Sequence, residues 1–148
     1  LLLDVGPKED GTLDGRQEKV LLDLGSWIHD HEEAVYGTGK GLSYHQFLGG
    51  STISEDQETL YLIVYDKPLE AVCVKGLKTP VKRVTVLHSL EELDFTYTGA
   101  LPWSGIPGTL WIWAQNMQLH PFATVLKVEL EGKITYNLGH GEAVTNND

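Results

Sequence analysis

Apolar and polar residues follow two rhythms along this chain, and the rhythm changes near residue 40. The run Leu1-Leu2-Leu3-Asp4-Val5 reads as a buried strand that enters a Gly6-Pro7 turn. A polar loop follows. Asp14 then stands as a helix N-cap, with Gln17 three residues on in the capping-box position. Val20, Leu21, Leu24, Trp27 and Ile28 recur at helical spacing and form one apolar stripe. Gly25 interrupts the stripe. A glycine inside a helix costs about 1 kcal/mol against alanine, so a close approach to a strand or another helix is expected there. The helix should end between Asp30 and Glu33, and residues 34–41 lead away as glycine-rich, irregular backbone.

Beyond that point the period is alternating. Strands are expected over residues 59–65, 71–74, 81–87, 94–98, 109–114, 123–130 and 134–136. The last two flank Glu131-Gly132-Lys133, the pattern of a hairpin with glycine at its turn. Short strands with no helical pattern between them predict an antiparallel β-sandwich. The opening strand is hydrophobic enough to need neighbours on both sides, and the chain starts at Leu1 with no initiator Met. The fold expected is therefore mostly β: an antiparallel sandwich preceded by the terminal strand–helix unit of a (β/α)8-type barrel. Residues 1–40 would be the barrel end, 41–140 the sandwich, and 141–148 a disordered tail.

Composition narrows the function classes. A chain of 148 residues with 41% hydrophobic and 22% charged residues has the balance of a folded domain. A net charge of -10 argues against nucleic acid and anionic membranes, both of which need clustered Lys and Arg. No apolar run is long enough to cross a bilayer. The one cysteine, Cys73, excludes an internal disulfide and lies in the apolar run 71–74, where a buried, inert thiol is expected.

Several motifs offer chemistry without completing it. His29-Asp30-His31-Glu32-Glu33 has metal-ligand residue types, but residues i and i+2 of a helix face apart, so a solvated helix end is expected and no metal. Gly37-Thr38-Gly39-Lys40-Gly41 lacks the spacing of a phosphate loop. Glu91, Glu92 and Asp94 read as a solvated acidic turn. Trp103, Trp111 and Trp113, with Tyr97, could instead form a platform on which sugars stack. Trp111 and Trp113 share one face of their strand. That face is expected to pack into the core or against a barrel, which leaves Trp103, on a loop, as the exposed ring.

Some of these segments carry a family resemblance. Residues 1–7 followed by Asp10-Gly11-Thr12 resemble the last barrel strand and loop of the family 29 glycoside hydrolases, the α-L-fucosidases. The helix segment 21–28, the stretch 33–38 and the segment 120–130 are similar to that family's final barrel helix, its continuation and the closing strand of its C-terminal sandwich. Asp4 stands where the family pattern has Asn. The resemblance implies the C-terminal part of a retaining α-L-fucosidase. The full-length enzyme would remove terminal α-L-fucose from glycoconjugates, and the sandwich would brace the barrel.

Retention needs two carboxyl groups about 5–5.5 Å apart. The resemblance implies an Asp nucleophile and a carboxylate acid/base on the barrel before Leu1, so no catalytic residue is expected in this chain. Loops after barrel strands build the active-site face, which makes Lys8, Glu9 and Asp10 candidates for the rim of the pocket. Trp103 is the candidate for sugar stacking. No cofactor is implied. The partners implied are a fucosylated glycan, through the full-length enzyme, and the chain's own catalytic barrel. Periplasmic or secreted placement follows from the resemblance alone. The alternative is a non-catalytic sandwich that binds carbohydrate or another protein.

Overall fold

The computed structural model describes residues 3–101, 103 and 105–137. Among these residues two helices, α1 (Gly15–Asp30) and α2 (Glu32–Val35), precede eight strands. These are β1 (Thr38–Lys40), β2 (Gly50–Ser54), β3 (Thr59–Val64), β4 (Ala71–Lys75), β5 (Val81–Val86), β6 (Phe95–Thr98), β7 (Thr109–Trp113) and β8 (Thr124–Leu130). One sheet has five strands in the order β1-β2-β3-β8-β5, and the other has three in the order β4-β7-β6. Every pairing is antiparallel. The chain is thus the antiparallel β-sandwich that the alternating rhythm predicts.

Alternation explains the core. Leu60 and Leu62 of β3, Leu126 and Val128 of β8, and Val84 and Val86 of β5 point inward from the larger sheet. They meet Val72 and Val74 of β4 and Leu110 and Ile112 of β7 from the smaller one. In β5 the register shifts between Val81 and Arg83, so Val81 and Val84 both reach the core where strict alternation would separate them.

The larger sheet is covered on its other face too. Tyr61, Val125 and Leu87 form a second cluster there with Ala34 of α2, and Trp27 of α1 and Ile63 pack against it. The layers therefore run helices, five-stranded sheet, three-stranded sheet. Four contacts fix the helical layer. Trp27 Nε1 donates to the Ala123 carbonyl at 2.8 Å, and Thr52 Oγ1 donates to the Ala34 carbonyl at 2.7 Å. Lys127 Nζ lies 2.9 Å from Glu33 Oε2, and the Tyr61 hydroxyl donates to the same oxygen at 3.4 Å. Burial, with the Glu33 carboxylate beside it, pushes the Tyr61 phenol up to about 12.

The helix forms as its pattern predicts. Asp14 caps it, accepting from Arg16 N at 2.9 Å, and the last helical residue is Asp30. Its stripe is only half covered: no residue of α1 is buried, Val20 is exposed, and Leu21, Leu24, Trp27 and Ile28 are half-buried. Gly25 approaches nothing, since a Cβ there would meet no atom within 4 Å. Of the expected opening strand, the described residues 3–5 pair in no sheet. A strand exists only as half of a ladder, and residues 3–5 are laid against none of the sheet edges.

Two further expectations change. Residues 134–136 do not pair with β8. Both edges of β8 are taken by β3 and β5, so the chain crosses instead to Gln57, Leu77 and Lys78. Residues 38–40, expected to be irregular, form the edge strand β1. A Cβ on Gly41 would collide with Ser51, so the close approach of the two backbones requires a glycine there. The tail expected to be disordered, 141–148, lies outside the described residues.

Candidate functional site

The loop after the opening segment is a closed turn. Lys8 N donates to the Thr12 carbonyl at 2.8 Å and Gly11 N to the Lys8 carbonyl at 2.9 Å. Asp10 accepts from both Thr12 N and Thr12 Oγ1, at 3.0 and 2.7 Å. These hydrogen bonds hold its carboxyl below the usual carboxylate range and commit it to shaping the turn. Lys8 and Glu9 are exposed to solvent.

The tryptophan strand resolves differently from its sequence expectation. Leu110 and Ile112 of β7 point into the core, so Trp111 and Trp113 face outward, away from the helical layer. Trp113 is 40% exposed, and Trp111 is half-buried with Nε1 donating to Thr98 Oγ1 at 2.8 Å. The two indoles line an open groove with Leu69, Glu70, Ala71 and Thr98. Tyr97 does not join them. It pairs with Leu110 on the inner face, and its hydroxyl accepts from Val81 N at 3.2 Å. Trp103 lies on the loop between β6 and β7 and is 85% exposed. Cys73 pairs with Trp111 on the same outer face and is half-buried, where burial raises its thiol. It is not a core residue, because Val72 and Val74 take the inward positions of β4.

The seam between helices and sandwich gathers three histidines that nothing in the sequence links. His31, between α1 and α2, is fully buried. It is not part of a solvated helix end, although its neighbour His29 is, paired with Glu32 at 3.0 Å on the surface. His88, after β5, and His120, before β8, bring their rings to 6.0 and 5.0 Å from that of His31 and lie 5.4 Å apart. Trp27 stacks on His31 at 4.7 Å.

Among the described residues, no group of three or more His, Cys, Asp or Glu side chains is arranged to hold a metal ion. The acidic turn is partly structural: Glu91 Oε2 accepts from Gln118 N at 2.9 Å. Within the segment 37–41, Thr38–Lys40 form β1.

No family model and no curated protein matches the chain. Solved structures do. An α-L-fucosidase isoenzyme 1 from Paenibacillus thiaminolyticus superposes with a TM-score of 0.70 and 25% identity, over 88% of this chain and 30% of that one. The α-fucosidase of Thermotoga maritima, solved in complex with fucose, gives 0.59 and 25%, over 86% of this chain and 30% of that one. A GH29 α-L-fucosidase from Bacteroides thetaiotaomicron, trapped as a covalent intermediate with 2-fluoro-fucosyl fluoride, gives 0.68 and 19%, over 87% and 28%. The resemblance read from the sequence is therefore the one the structure carries. The chain is related in fold to part of an α-L-fucosidase and spans 30% of the length of the Paenibacillus enzyme.

Proposed function

We propose that this chain is the C-terminal part of a retaining α-L-fucosidase that releases terminal α-L-fucose from glycoconjugates. The carrying observation is the superposition of 88% of this chain on 30% of a fucosidase. In this reading residues 1–40 complete the catalytic barrel and residues 41–140 form the sandwich that braces it. The half-covered stripe of α1 supports that division. Val20 is exposed on it, and Leu3 and Val5 beside it make no ladder of their own. An apolar surface of this kind is what a barrel's remaining elements would cover.

The chemistry would run on the barrel. One carboxylate attacks the anomeric carbon while the other protonates the leaving oxygen. Water then enters with the second group acting as base, and two displacements restore the configuration. No residue of this chain is assigned to either role. Lys8, Glu9 and Asp10 would sit at the rim of the pocket, where Asp10 fixes the turn and Lys8 and Glu9 remain free to meet the aglycone. The coding sequence upstream of Leu1 tests the proposal. It should encode a barrel with an Asp at the end of one strand; a different upstream fold would sink it.

A second reading is favoured by the outward placement of Trp111 and Trp113. Two indoles beside the Thr98 hydroxyl and the Glu70 carboxylate offer apolar faces and hydrogen-bond partners to a pyranose. The sandwich would then hold glycan directly, with Trp103 as a further ring. Titration of tryptophan fluorescence with fucosylated oligosaccharides tests it. A saturable change lost in Trp113→Ala supports the reading, and no response to any sugar counts against it.

A further inference from the structure

We propose that His31, His88 and His120 form an acid-operated latch, which holds the helical layer on the sandwich at neutral pH and releases it on acidification. The three rings come from three places. His31 follows α1, His88 follows β5, and His120 lies in the connection that leads to β8. They meet edge to face at ring separations of 5.0, 5.4 and 6.0 Å. Trp27 stacks on one side of the group and Phe122 lies 5.9 Å from His120 on the other.

The hydrogen bonds set which nitrogens carry protons. His31 Nδ1 lies 2.8 Å from the Trp27 carbonyl, which only accepts, so Nδ1 bears the hydrogen. Its Nε2 is then a bare lone pair in the neutral ring. That atom is buried without a partner, as are both ring nitrogens of His88. Protonation would place a new N–H and a full charge where no acceptor waits. His120 differs. Its Nδ1 accepts from Phe122 N at 3.3 Å, so Nε2 carries the hydrogen and faces Asp30 Oδ2 at 3.6 Å.

Charge balance makes the group one-sided. Asp30 at the end of α1 can offset one imidazolium, that of His120. Glu91 acts on His88 only from a distance, since its carboxylate is bonded to Gln118 N. His29 and Glu32 pair with each other on the surface. A second or third proton therefore has no counter-charge and sits against the first. Burial first, and the neighbouring His120 next, push His88 below the ordinary histidine range; burial also lowers His31, against the pull of the Trp27 carbonyl. A depressed histidine leaves the docked state fully favoured above its ordinary value of about 6.5. Docking is lost as pH falls from there through the docked-state values. Each excluded proton changes the docking equilibrium by about tenfold per pH unit in that window.

Amide hydrogen exchange of the whole chain tests the latch, with rates corrected for intrinsic pH dependence. Between pH 7.5 and pH 5, protection over residues 15–36 should fall at least tenfold more than protection in β8. The response should shrink in His88→Phe/His120→Phe and vanish when His31→Gln is added. Equal pH dependence of the helical layer and β8 would overturn the proposal, as would a full response in the triple variant. Should the variants not fold, histidine 15N NMR of the unmodified chain decides. The latch requires the Nδ1–H tautomer at His31 and titration of His31 and His88 below pH 6.5. Three independent titrations at or above 6.5 would refute it.

Discussion

Adjacent residues of β3 report on two different layers, and truncating them separately tests the layering. Leu62 points between the sheets and is completely buried. It sits opposite Leu126 of β8 in the ladder and belongs to the sandwich core with Val84, Val128 and Ile112. Its neighbour Ile63 points the other way and packs, half-buried, against the cluster beneath the helices. Leu62→Ala removes a side chain that both sheets enclose, so the site cannot collapse easily. The cost should be about 2–5 kcal/mol, a large share of the roughly 5–15 kcal/mol that holds a domain folded. Ile63→Ala removes partial burial at the helical seam and should cost about 1 kcal/mol. Urea denaturation followed by far-UV circular dichroism separates the two. The Leu62 variant should lose about a third of its midpoint concentration or more at unchanged slope. Hydrogen exchange on the Ile63 variant should show the loss confined to residues 15–36. A Leu62→Ala cost under about 1 kcal/mol, or an Ile63→Ala cost equal to it, would refute the assignment of faces on β3.

Three further outcomes follow from the same geometry. Trp27→Phe keeps the ring packing but leaves the Ala123 carbonyl without the indole donor, and should cost about 0.5–1.5 kcal/mol by thermal denaturation. Gly41→Ala forces a Cβ into Ser51, so the β1–β2 edge must shift, at about 1–3 kcal/mol; a variant as stable as the parent would contradict the packing there. The Arg83 guanidinium, 2.6 Å from Glu129, holds that carboxyl below its ordinary range. The pair therefore stabilises the fold above pH of about 4.5 and is lost as pH falls through the depressed value, so Glu129→Gln should lower the melting temperature at pH 7 and converge with the parent in acid.

The long, strongly patterned elements were legible from residues alone. Asp14 and the stripe from Val20 to Ile28 locate α1, and the aromatic alternation of residues 109–114 locates β7. What escaped was decided by distant partners. Gly-Ser-Thr-Ile-Ser carries too little apolar signal to mark β2, which forms because β3 offers it an edge. The hairpin at Gly132 fails because β8 is already paired on both sides. The direction of Trp111 and Trp113 depends on which face of the smaller sheet meets the larger, and alternation cannot choose between faces. The histidine group is invisible for the same reason. Only the fold brings positions 31, 88 and 120 together. His31 carries one local signal, its place four residues after Trp27 on the helix, but nothing in the sequence points to His88 or His120.

The proposed function makes this chain part of a fucosidase whose reacting carboxylates lie outside it. Release of the chromophore from an aryl α-L-fucoside tests that claim most directly, assayed on the 148-residue chain and on the longest protein its gene encodes. The account predicts turnover by the longer protein and none by the 148-residue chain. Turnover by the 148-residue chain that disappears in Glu9→Gln or Asp10→Asn would contradict it.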